Sequence, residues 1–78
     1  MNNILYSLRD LKQGQTATVK SLLSTGSIRR RLLDIGLIEG TEVECLQISP
    51  AGDPVAYLIR GAVIALRSED SSKVLIYG

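Results

Sequence analysis

Histidine, tryptophan and phenylalanine are absent from this 78-residue chain, and cysteine occurs once, at Cys45. A single thiol without histidine excludes an intrachain disulfide, a Cys/His zinc knuckle and histidine-based acid–base chemistry. Three tyrosines, Tyr6, Tyr57 and Tyr77, are the only aromatic residues. They are too few for a base-stacking platform or for the aromatic groove that grips proline-rich peptides. Net charge is also nearly missing: nine Lys and Arg against eight Asp and Glu leave +1. No global field therefore draws the chain to nucleic acid or to an anionic membrane, and any such binding must be local. No stretch approaches the roughly 20 apolar residues of a membrane span. The start, Met-Asn-Asn-Ile-Leu-Tyr, lacks a basic region followed by a long apolar run. The expectation is a protein of a reducing cytoplasm, neither exported nor inserted.

What the chain has is aliphatic residue: 45% of it is hydrophobic despite the shortage of aromatics. A chain of this length forms one domain, 1–78, and buries only about 60% of its unfolded surface. Some aliphatic side chains are then left outside, where a contiguous patch would mark a protein contact or support weak self-association.

Alternation marks Thr16–Leu22 as a half-buried strand with Ala17 and Val19 on one face. A helix follows, with Thr25 or Ser27 as N-cap and Gly36 as its left-handed stop. Ile28, Leu32 and Ile35 fall on one stripe and are expected to face the core, and Leu37 to fold back on Leu32. In the next strand, Thr41–Ile48, the apolar parity changes from Val43 and Cys45 to Leu46 and Ile48, which predicts a bulge near Cys45. Pro50-Ala-Gly-Asp-Pro54 reads as a rigid hairpin tip between that strand and Val55–Arg60. Gly61 breaks the pattern before Ala62–Arg67, a polar turn covers 68–72, and Lys73–Tyr77 is the last strand. Five short strands with one short helix after the first describe a mainly β chain, a small closed or half-closed barrel.

The helix is written against its own electrostatics. Arg29, Arg30 and Arg31 occupy early turns, where the dipole disfavours cations, and Asp34 sits in the last, where it disfavours anions. Each misplacement costs on the order of 0.3–1 kcal/mol. An acidic surface on a partner would explain the arginines. The alternative is a solvated helix face with Arg31 paired to a carboxylate inside the domain.

Taken together, Arg31-Leu32-x-Asp34-x-Gly36-Leu37-x-x-Gly40-Thr41, then Pro50-x-Gly52-Asp53-Pro54-Val55, then Arg60-Gly61-x-x-Ile64-Ala65-Leu66-Arg67, resemble the FeoA domain of bacterial ferrous iron transport. The resemblance spans about Leu8 to Tyr77. It implies an SH3-like barrel with the helix inserted after the first strand, and a small cytosolic protein working with FeoB, a membrane iron transporter that carries a cytoplasmic GTPase domain. Its motif residues here are Leu32, Gly36, Gly40, Pro50, Gly52, Asp53, Pro54, Gly61 and Leu66. Glu39 stands where relatives commonly have proline, which relaxes that turn. The barrel also resembles the C-terminal domain of DtxR-type iron-dependent repressors, so a free-standing metal-regulatory or transcription-associated barrel is the alternative.

Other candidates reduce to structural roles. Cys45, between Val43 and Leu46, reads as a small core residue rather than an iron ligand. Glu42 and Glu44 lie on the outward side of their strand, where with Asp34 and Glu39 they serve solubility and edge protection. No nucleophile, base and oxyanion arrangement can be read from the spacing. The expectation is a non-catalytic accessory module without cofactor, metal ligand or nucleic-acid partner, in which Arg29, Arg30 and Arg31 are the candidate contacts to a FeoB-like transporter.

Overall fold

Residues 6–77 are described by the computed structural model, and the segment inspected above for a leader lies, except for Tyr6, outside them. Strand β1 (Tyr6–Ser7) leads through a 3-10 turn (Leu8–Asp10) to β2 (Thr16–Leu22) and helix α1 (Gly26–Asp34). Then come β3 (Glu42–Ile48), β4 (Val55–Ile59), β5 (Ala62–Leu66), the one-turn helix α2 (Ser68–Ser71) and β6 (Val74–Tyr77). All pairs are antiparallel, in the order β1-β6-β2-β3-β4-β5.

Period-two alternation decides which side chains meet inside. Ala17, Val19 and Leu22 of β2 are buried with Val43 and Cys45 of β3, Tyr57 and Ile59 of β4 and Val74 and Ile76 of β6. The change of parity in β3 is a bulge: register slips between Cys45 and Gln47, leaving Leu46 unpaired. A second irregularity falls between Val19 and Ser21. These breaks let the sheet curl. The curl is fastened where the buried Tyr57 hydroxyl of β4 donates to the Leu8 carbonyl, 3.2 Å away just beyond β1. The result is the mainly β, SH3-like architecture expected, with six strands and two helices in place of five and one.

Three expectations are corrected. The five strands expected leave out a sixth, β1, which precedes β2 and pairs with β6. Residues 68–72 form no simple polar turn: α2 occupies them and buries Asp70 and Ser71. Of the stripe Ile28, Leu32 and Ile35, only Leu32 is fully buried, while Ile35 is half-buried and Ile28 is exposed. The helix meets the core through its C-terminal half, where Leu32, Leu33 and Ile35 pack and Leu37 returns. Ile28, in the first turn, stays outside the core and borders an open groove with Ile64 and Ala65.

Candidate functional site

Helix α1 begins at Thr25, which has the extended backbone of an N-cap but makes no side-chain capping bond, and its first turn has no acidic residue. It ends in a Schellman stop: Gly36 N–H donates to the Leu33 carbonyl (3.0 Å) and Leu37 N–H to the Leu32 carbonyl (3.1 Å). Gly36 has φ +107°, and Leu32 and Leu37 are both fully buried.

The three arginines of α1 have separate fates. Arg29 turns back and donates to the Leu22 carbonyl at 3.1 Å. Arg31 reaches Asp70 of α2 at 2.6 Å, with 60% of its own side chain exposed and 12% of the carboxylate's. Arg30 is exposed and has no hydrogen-bond or ion-pair partner among the described residues. The run Arg29, Arg30 and Arg31 is thus not one uniform patch, and Arg30 is its unengaged cation. The expectation that all three arginines oppose the dipole is corrected for Arg31: it lies in the last turn of the nine-residue helix, where the dipole favours a cation, and it pairs with Asp70.

The other motif residues collect around α2 and the β4–β5 hairpin. Asp53, in the Pro50–Pro54 tip, accepts from the Ser68 backbone N–H at 2.8 Å and lies 3.5 Å from the Ser68 hydroxyl. Across fifteen residues it caps the start of α2, whose N-cap residue Arg67 has no suitable oxygen. Gly52 closes the turn by donating to the Ser49 carbonyl at 2.7 Å, and Leu66 is buried beneath. Arg60 and Gly61 form the two-residue loop between β4 and β5, both at positive φ (51° and 83°), as a type I′ turn requires. Gly40 lies in the turn before β3 and donates to the Val19 carbonyl.

Asp53 and Asp70 make contacts between elements far apart in the chain, which no local sequence pattern marks. The density of the Pro50–Pro54 turn marked a rigid tip without revealing that its carboxylate serves a second element. The acidic start of Ser68-Glu69-Asp70 was the available signal for a short helix.

Cys45 is fully buried, and its thiol pKa is pushed up from the ordinary 9.0, first by burial and then by the Glu44 charge. Tyr57 is likewise raised above 10.0, chiefly by burial. Among the described residues no three His, Cys, Asp or Glu side chains stand together as a metal cluster, and no helix is long and apolar enough to cross a membrane. Left on the surface are Arg30, the exposed part of Arg31, and apolar side chains such as Ile28 and Val63.

Comparison with known proteins places these features in a family. The family model of the FeoA domain matches residues 6–77. An Fe(2+) transport protein A/Fe(2+) transporter FeoB fusion protein of Porphyromonas gingivalis is 33% identical over 67 residues. The match covers 86% of this chain but only 8% of that protein. The zinc complex of Stenotrophomonas maltophilia FeoA, described as a prokaryotic SH3 domain protein, superposes with a TM-score of 0.82 at 27% identity, over 91% of this chain and 88% of that one. IdeR of T. acidophilum superposes at 0.82 over 97% of this chain and 35% of its own, with 19% identity, a likeness of fold alone.

Proposed function

This chain belongs to the FeoA family, and on that premise we propose that it is a non-catalytic accessory module of ferrous iron uptake, acting from the cytoplasmic side on a FeoB-like transporter. The observation that carries this reading is the P. gingivalis protein, in which the matching domain and the FeoB transporter share one chain. Fusion holds a module beside its target at high effective concentration, whereas a separate chain must reach the same target through its own intrinsic affinity. A small binding domain regulates a GTPase by preferring one nucleotide state, since a ligand shifts an equilibrium only by its differential affinity for the two states.

Arg30, free on the outer face of α1, is the cation we assign to an acidic surface of the transporter. Arg31 supports it from its bridge with Asp70, and Arg29 holds the start of the helix to β2 through the Leu22 carbonyl. The reading is tested by measuring association of the purified chain with the cytoplasmic part of a FeoB-like transporter, together with GTP hydrolysis by that part. The repressor-like alternative rests on fold likeness alone, and the two described helices, of nine and four residues, offer no reading head for DNA.

A further inference from the structure

One margin of the sheet is left open. Among the described residues strand β5 pairs only with β4, and its sequence, Ala62-Val63-Ile64-Ala65-Leu66, has no charge, proline or bulge, the usual protections of an edge. In a two-residue hairpin the flanking pair exchanges both hydrogen bonds, so Ile59–Ala62, Tyr57–Ile64 and Val55–Leu66 are the bonded pairs of the β4–β5 ladder. Val63 and Ala65 therefore turn their N–H and C=O groups outward, and the Val63 side chain is 67% exposed. Beside this edge runs an open groove whose far wall is α1. Ile28 and Ile35 of the helix face Ile64 and Ala65 of the strand across it, with Arg31 and Arg67 on the rim.

We propose that this groove receives an extended segment of another protein, added to β5 as a seventh strand, with apolar side chains at its centre and carboxylates at its ends. Strand addition supplies the missing partners for Val63 and Ala65, and the apolar groove takes alternate side chains of the incoming segment. Charge selects its ends. Arg60 and Arg67 bracket β5 and have no carboxylate partner among the described residues, Asp70 is already engaged by Arg31, and Glu69 is the remaining acid on the rim. A second copy of the chain fits poorly. Pairing two β5 edges with Val63 opposite Ala65 sets Arg60 of each copy one position from Arg67 of the other. A five-residue edge is also a small part of the roughly 1,200 Å² or more that a stable dimer buries.

This inference rests on the binding-module reading but not on the identity of the partner, so its probe is a synthetic peptide. Acetyl-Glu-Glu-Val-Thr-Val-Thr-Val-Glu-Glu-amide is titrated into the isotope-labelled chain at low salt, with a lysine-ended peptide of the same centre for comparison. Strand addition requires slowed hydrogen exchange at the Val63 and Ala65 amides, shifts at the Ile28 and Ile35 methyl groups, and weaker binding of the lysine-ended peptide by roughly fivefold. Ala65→Pro removes an outward donor without touching the β4 ladder and should abolish binding. Val63→Lys, at an exposed side chain, should weaken the glutamate-ended peptide's apolar contact and serves if the proline variant fails to fold. Equal affinity for both peptides, a response confined to the Arg30 face, or self-association through β5 in place of peptide binding would each overturn the proposal. Failure of the peptide to bind while the chain still associates with a FeoB-like transporter would overturn this groove and leave the accessory function standing.

Discussion

A β-carbon at Gly36 would stand 2.6 Å from Cδ of Arg60, so the stop of α1 and the tip of the β4–β5 hairpin are in direct contact. Gly36 meets two demands at once: φ +107°, and the aliphatic stem of Arg60 lying across its backbone. Arg60 itself holds φ 51°, which is costly for a residue with a side chain.

Gly36→Ala should lower stability by about 2 kcal/mol, from the left-handed backbone and from displacement of Arg60. Arg60→Gly removes both the obstructing stem and its own backbone cost. The double variant should therefore lose less than Gly36→Ala alone, a coupling that a double-mutant cycle in urea measures. Strict additivity would show that the contact has no energetic weight.

The Arg31–Asp70 pair is half exposed, which limits its worth. Asp70→Ala should cost about 1 kcal/mol, and adding Arg31→Ala should cost little more. Asp53→Ala should cost a similar amount, about 1 kcal/mol, by uncapping Ser68. Chemical denaturation checks both, and exchange of the Ser68 amide separates the cap from the ion pair.

Arg29 and Arg30 should part company. Arg30→Ala should leave stability unchanged, since its guanidinium has no hydrogen-bond or ion-pair partner among the described residues, whereas Arg29→Ala loses the bond to Leu22 and should cost up to about 1 kcal/mol. Against the transporter the order reverses: Arg30→Ala weakens association, and its deficit shrinks as salt rises. Thermal unfolding and binding assays on the same two proteins give both readouts.

Alkaline pH should destabilise the fold. Cys45 and Tyr57 both have folded pKa values raised above their ordinary 9.0 and 10.0. For groups shifted in this sense, stability is full below the unfolded value and is lost as pH rises through the folded one, because the unfolded chain releases the protons first. Urea midpoints should fall above about pH 9. Cys45→Ala should remove the earlier part of the fall and Tyr57→Phe the later part, and alkylation of Cys45 at neutral pH should track unfolding.

Local physics was readable from the chain. The Leu32–Leu37 return, the left-handed stop at Gly36 and the bulge after Cys45 are each set within about six residues, and the sequence pattern carries them directly. Ile28 was misplaced because helical periodicity says which residues share a face but not how far the helix extends over the sheet. Strand β1 was missed because two residues carry no usable alternation. The contacts that organise the site, Arg31 with Asp70 across 39 residues and Asp53 with Ser68 across 15, depend on the topology. The dipole gives no pointer to the first of them, because Arg31 lies in the last turn of α1, where a cation is favoured.

The most direct measurement is calorimetric titration of the purified chain into the cytoplasmic GTPase part of a FeoB-like transporter, once loaded with GDP and once with a non-hydrolysable GTP analogue. An accessory module that regulates the transporter must bind saturably, with affinities that differ between the two states. Absence of binding in both states, or equal affinity in the two, would contradict it.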